Sequence, residues 1–244
     1  MLREYIAYGR KHGYWRRGIA YKFQCRHQIF RGVRLRGKRA LDIGCGNGRF
    51  SIWAAIHGAR EVLGLEPTLE GSTSDTVARF RDSVEKLSLS NIDIREETFQ
   101  EFDSPTDHWD VIIMIASVNH LSEQACITLR ESEESRREYM EIFQKLYSVT
   151  APGGKVIITD CSSENKYAGR DQVNPYASTI EWEKHQPPEI WSDLLQRAGF
   201  VKPRIKWIPP AQYLHFGMIF LSNYFYAYRR GSRFRLEVTR PDLG

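Results

Sequence analysis

The stretch ALDIGCGNGRF, residues 40–50, decides the fold. A short apolar run from Arg39 to Ile43 passes into a turn holding Gly44, Gly46 and Gly48, and a helical pattern starts at Arg49. Glycine lets the backbone turn tightly and lets a ligand come close to the amides. The N-terminus of the following helix adds partial positive charge that favours a carboxylate. The spacing is GxGxG, not the GxGxxG of dinucleotide enzymes. Asp42 stands at the strand end, where its carboxylate can accept from an ammonium group. A ligand with both an ammonium and a carboxylate fits, and methionine has both.

Working outward, strands and helices alternate. Glu61–Glu66 reads as a second strand, and Glu66 falls 18 residues after Gly48. An acid about 20 residues along holds ribose hydroxyls in nucleotide folds. Asp75–Leu89 is amphipathic, with Val77, Phe80, Val84 and Leu87 on one face. Asn91–Arg95 and the continuous apolar run Trp109–Ile115 are the third and fourth strands. A long helical region spans Glu123–Val149, Ala151–Gly154 is a turn, and Lys155–Asp160 is the fifth strand. The helix Pro188–Ala198 stops at Gly199, and Lys202–Ile208 and Phe234–Val238 close the sheet. Such alternation predicts an α/β fold with a doubly wound parallel sheet.

LDIGCGNG, LGLEP, WDVIIMI and APGGKVIITD resemble, in this order, the motifs of class I S-adenosylmethionine-dependent methyltransferases. The resemblance runs from about residue 39 to 161, and AGF with the C-terminal strand extends it over most of the chain. It implies a mostly parallel seven-stranded sheet, helices on both faces, an antiparallel strand near the C-terminus, and S-adenosyl-L-methionine as cofactor. By the same resemblance Asp42, Gly44, Gly46 and Asn47 contact the methionyl part, with Cys45 and Gly48 in the same turn, and Glu66 the ribose. Glu97, Thr98 and Phe99 fit the adenine slot after the third strand, with Glu96 as the alternative acid. Ala116 and Ser117 would line the sulfonium. Cys45 sits at a helix start, which can lower a thiol pKa, but packing is the simpler role for it.

Composition sets the bounds. The chain has 244 residues, 41% hydrophobic and 27% charged, in the range of an ordinary globular protein. No apolar stretch approaches the roughly 18–20 residues of a membrane span. Four cysteines without a CxxC pair, and no metal-ligand spacing, predict reduced thiols, a cytoplasmic location and no metal site. The net charge of +5 is uneven: residues 1–40 hold twelve Lys/Arg and one acid, Glu4. That segment also carries aromatics, so residues 1–38 read as a basic, aromatic helical cap on a domain spanning 39–244. It could attract phosphate, carboxylate, nucleic acid or anionic lipid, or be a solvated face. An aromatic helical insertion at about 209–230 reads as core or interface, or as a hydrophobic-acceptor or peripheral membrane surface.

Acceptor choice falls to loops beyond the strand ends. His120 follows the fourth strand and could take a proton from an acceptor hydroxyl. His185, beside Trp182 in the loop after the fifth strand, is the second catalytic candidate. DNA amino-methylating enzymes of this fold carry an Asn/Asp-Pro-Pro-aromatic motif after the fourth strand, where this chain has Ser117-Val-Asn-His120. No carboxylate stands between Met114 and Leu121 to hold a magnesium ion. These features favour O-methylation of a small molecule or glycan. The alternatives are an RNA methyltransferase that uses the basic arm, and a non-enzymatic S-adenosylmethionine-binding regulator.

Overall fold

A computed structural model describes residues 1–67, 75–168, 170, 173–175 and 178–242. The strands are β1 (Arg39–Ile43), β2 (Glu61–Leu65), β3 (Ile92–Arg95), β4 (Trp109–Ile115), β5 (Thr150–Cys161), β6 (Val201–Trp207) and β7 (Arg233–Thr239). They form one sheet in the order β3-β2-β1-β4-β5-β7-β6. β1 pairs in parallel with β2 and β4, β4 pairs in parallel with β5, and β7 runs antiparallel to β5 and β6. Successive connections leave β1 in opposite directions, so the crevice of a doubly wound sheet opens at the carboxyl ends of β1 and β4.

Strand alternation divides the apolar side chains between two layers. Leu41, Ile43, Ile112, Met114, Val156 and Ile158 pack on one face against α5 (Glu123–Thr128), α6 (Glu133–Val149) and α7 (Pro188–Arg197). Ala40, Val111, Ile113 and Ile157 face the other way, toward α3 (Arg49–Ile56) and the N-terminal helices α1 (Leu2–Lys11) and α2 (Gly18–Phe23). The helix α4 (Thr76–Lys86) packs beside β3 and buries Phe80 against Cys45 and Ile94.

Two elements differ from the sequence reading. The helical region 123–149 is two helices, because the Ser132 hydroxyl accepts from the Ser135 amide at 3.2 Å and caps a fresh start. Residues 151–154 are an irregularity inside β5 rather than a turn before it. Trp109 faces Thr150 while Val111 faces Lys155, so the extra residues fold out opposite Asp110.

The N-terminal helices are seated by aromatic contacts. Trp15 stacks on Tyr21 with centroids 4.2 Å apart, and Tyr21 meets Trp53 of α3 edge-on at 5.8 Å. Tyr5 beneath them is fully buried, and the Tyr8 hydroxyl donates to Asp82 on α4. Beyond α2 a π-helical turn, Gln24–Ile29, reaches β7: Arg235 donates from Nε to the Ile29 carbonyl at 2.9 Å. The segment 211–229 is a chain of short helical pieces that leaves Phe216, Ile219, Phe220 and Phe225 exposed. Among the described residues no helix is long and apolar enough to cross a membrane.

Gly9 tests the seating of the arm. A Cβ there would lie 2.2 Å from the Trp15 ring. Gly9→Ala is expected to cost about 1–3 kcal/mol through overpacking. Urea unfolding followed by tryptophan fluorescence would read the lower midpoint, and an unchanged midpoint would mean that the ring is free to move aside.

Candidate active site

The glycine turn is held by the strands on both sides of it. The amides of Gly44 and Cys45 donate to the Leu65 carbonyl at 2.9 and 3.0 Å, tying the end of β1 to β2. The Gly46 amide donates to Glu66 Oε2 at 2.8 Å. Ser117 Oγ donates to the Ile43 carbonyl at 2.6 Å, tying the end of β4 to the same turn. Gly44, at φ +69°, has no room for a side chain: a Cβ would lie 2.5 Å from Ser117 Cβ. Beside it Ala116 holds φ +54°, a strained conformation for a residue with a side chain, at the mouth of the crevice.

Six of the residues singled out in the sequence share one cleft: Gly44, Glu97, Thr98, Phe99, Ser117 and His120. Glu66 lies at the turn, where Oε2 accepts from the Gly46 amide and Oε1 makes no hydrogen bond among the described residues. Burial raises the Glu66 carboxyl, while the Gly46 amide and His120 pull it back toward the ionised form. Of the two acids after β3, Glu97 lines the cleft and Glu96 pairs with Arg81 at 2.7 Å. Thr98 Oγ1 donates to Glu101 at 2.8 Å, which fixes the loop that follows β3. Asn47 is half-buried within the turn, and Gly48 at φ +75° forms the N-cap of α3.

Asp42 and Cys45 lie beneath the turn. Asp42 is 1% exposed and accepts from the Ser51 hydroxyl through Oδ2, while buried Oδ1 has no partner. The buried thiol of Cys45 packs against Phe80 and Ile94. The helix start does not lower it: burial, with Asp42 and Glu66 nearby, raises it well above the ordinary value.

The two histidines occupy different places. His120 ends a 3₁₀ turn (Val118–His120), its ring 54% exposed, and its Nδ1 lies 2.6 Å from Glu123 Oε1. His185 is nearly buried, with Nδ1 3.0 Å from Asp160 Oδ1 at the carboxyl end of β5, though out of line for a hydrogen bond. Asp160 carries no sequence signal beyond ending an apolar strand, and only the loop that returns His185 over it reveals the pair. Asp160 Oδ2 and Asn119 Oδ1 are likewise buried without partners. Among the described residues no three His, Cys, Asp or Glu side chains gather as metal ligands.

A glycine turn whose cradle excludes a Cβ, an open carboxylate oxygen at the next strand and an adjoining cleft fit an amino-acid nucleoside. With the seven-stranded order they define the class of S-adenosylmethionine-dependent methyltransferases, whose cofactor is S-adenosylmethionine. Residues 14–202 match the methyltransferase-domain family, and the chain belongs to it. The ubiquinone biosynthesis O-methyltransferase of Marinobacter nauticus is 27% identical over 177 residues, covering 68% of this chain and 65% of that one. The tRNA U34 carboxymethyltransferase of Methylococcus capsulatus is 27% identical over 180 residues, covering 72% of this chain and 48% of that one. The chain thus matches less than two thirds of either relative's length. An S-adenosylmethionine-dependent methyltransferase from Mesorhizobium loti shares the fold, with TM-score 0.57, 18% identity and coverage of 85% and 93% of the two chains.

Asp42 yields a pH prediction. Burial raises its carboxyl to about 7, the Ser51 hydroxyl works against that shift, and the Glu66 charge adds to it. In an unfolded chain the value is about 3.9. The neutral carboxyl favours the fold, so its contribution is complete below about pH 4 and lost as pH rises through about 7. The ligand-free protein is expected to lose stability across that window, and Asp42→Asn to flatten the dependence. Thermal melts of both proteins at several pH values check this; parallel curves would count against it.

Proposed function

We propose that the protein transfers a methyl group from S-adenosylmethionine to an oxygen of a small-molecule or glycan acceptor. The observation that carries this reading is the cleft lined by Gly44, the loop after β3, Ser117 and His120, with Glu66 bonded to the adjoining turn. When bound, the cofactor supplies a methyl group on a positively charged sulfur. The turn amides and Asp42 serve its methionyl end, with the unpartnered Oδ1 of Asp42 stabilising positive charge from beneath. Glu66 Oε1 accepts from the ribose, and Glu97, Thr98 and Phe99 border the adenine. Ala116 and Ser117 line the reacting end. Alignment of acceptor and methyl group is worth several kcal/mol by itself.

An oxygen acceptor must lose a proton. Glu123 beside His120 Nδ1 favours the tautomer with the proton on that nitrogen, leaving Nε2 to accept from the acceptor hydroxyl. His185, with Nδ1 3.0 Å from Asp160 Oδ1, is the second candidate base. The O-methyltransferase name of one relative favours an oxygen acceptor. The basic arm and the tRNA-modifying relative favour a second reading, an RNA acceptor. The exposed apolar run Phe216, Ile219, Phe220 and Phe225 favours contact with an apolar acceptor or a membrane surface.

Glu66→Ala is expected to weaken S-adenosylhomocysteine binding by about 1.5–3 kcal/mol in calorimetry, as for a hydrogen bond to a charged group. His120→Ala should lower turnover about 10²–10⁴-fold, with cofactor affinity nearly unchanged. Turnover is read as methyl transfer from labelled cofactor into fractionated small-molecule and RNA extracts. A wild-type protein that binds no cofactor would sink the proposal. Near-normal turnover in His120→Ala would move the base to His185, and labelling confined to RNA would move the acceptor class.

A further inference from the structure

A second cavity, of about 650 Å³, opens between the N-terminal helices, the start of α3 and the residues after β6. Its size is that of a small-molecule site. Arg16, Arg17 and Arg49 reach it, and no acid lines it. Among the described residues none of these three arginines has a carboxylate within ion-pair distance. Arg49 is the most constrained of them. Its guanidinium lies 5.7 Å from the Tyr21 ring and 5.9 Å from the Trp15 ring, and its buried Nε has no hydrogen-bond partner. Gln24 Oε1 accepts weakly from its Nη2 at 3.4 Å. Tyr213 closes the far wall. Desolvating a guanidinium without an anion is costly, and three cations facing one hollow repel each other. Both costs are relieved by an anion in the hollow, and arginine's planar fork matches a carboxylate or phosphate.

We propose that this cavity binds an aromatic or cyclic small molecule bearing a carboxylate or phosphate. The anion sits among the three guanidinia, and its ring lies along Trp15, Tyr21 and Tyr213. Arg49 is the first residue of α3, directly after the glycine turn, so the cavity opens on the side of the turn away from the cleft of Ser117 and His120. The ten residues that line the cavity include none of those lining the cleft assigned to the nucleoside. A cavity of this size exceeds what one amino-acid carboxylate fills. The basic arm, in this view, is an anion-recognition element.

The test uses the full chain and three probes of similar shape: benzoate, phenyl phosphate and neutral benzyl alcohol. Binding is followed by ligand-observed NMR with and without saturating S-adenosylhomocysteine, in the wild type and in Arg16→Gln/Arg17→Gln. These two side chains are exposed, so the double variant should fold; Arg49→Lys, which keeps charge but loses the planar fork, is the second variant. Either anionic probe should bind at least tenfold more tightly than benzyl alcohol, and which one does so separates carboxylate from phosphate. The double variant should lose at least tenfold in anion affinity while S-adenosylhomocysteine affinity stays within twofold. Equal binding of the neutral probe, or unchanged anion affinity in both variants, overturns the proposal. A tenfold loss of cofactor affinity in the double variant overturns it too, by giving the arginines to the cofactor carboxylate. Displacement of the bound probe by mixed RNA at submicromolar concentration would overturn the small-molecule assignment in favour of a nucleic acid. Anion binding without any S-adenosylhomocysteine binding would keep the cavity as an anion site and sink the methyltransferase reading alone.

Discussion

The structure depends on how the chain leaves β1. At Gly44 the backbone must turn away from the sheet within one residue, and three hydrogen-bond tethers hold it there. The Leu65 carbonyl takes two amides, Glu66 takes the Gly46 amide, and Ser117 reaches the Ile43 carbonyl. Two of the tethers come from the end of β2 and one from the end of β4, so β1, β2 and β4 finish in fixed relation to one another. The same bonds that satisfy the turn's buried polar groups also set the distance between Glu66 and the loop after β4. Site geometry and sheet geometry are thus one constraint. The strained backbone of Ala116 lies where that constraint is tightest.

The charge distribution follows a second logic. Part of the basic surplus near the N-terminus is structural: Lys38 Nζ and the Arg39 amide both donate to Asp110 at 2.8 Å. Arg235 is buried by the arm and shares Glu237 with Lys155, an arrangement that fastens β7 to β5 and to the Ile29 carbonyl. Burial pushes the Glu237 carboxyl up, but these two cations outweigh it and hold it below the usual range. Removing either cation would leave a buried charge poorly matched, whereas the pair itself adds little net stability. Among the described residues Arg16 and Arg17 of the arm have no such partner.

The fold narrows the chemistry less than the site does. Parallel sheets of this order host many reactions, and the reaction is set by what lines the crevice. Here a cleft beside the glycine turn and a separate, cationic hollow across it lie at the same end of the sheet. The arm forms the outer wall of that hollow, so the same aromatic stack that stabilises α1 and α2 shapes it.

The sequence by itself determined the sheet class, the glycine turn and the acid that bonds to it, because these depend on local patterns. Period-2 and period-3.6 hydrophobicity fix strands and helices, and ALDIGCGNG followed by Glu66 fixes a turn and an acid whose separation is set by one βαβ unit. Even there, the hydroxyl of Ser132 split a helix that periodicity alone runs through, and the four residues 151–154 folded into β5 as an irregularity. Cys45 shows the limit of reading position alone, since a thiol at a helix start is raised, not lowered, once it is packed against Phe80. Only the tertiary structure decided that Glu97 rather than Glu96 faces the cleft, because Arg81 of α4 claims Glu96. Only it brought Asp160 to His185, and Arg16, Arg17 and Arg49 to one hollow with Tyr213, residues far apart in the chain. Such long-range meetings leave no periodic trace in sequence, because they are set by how layers pack and not by the spacing of neighbours.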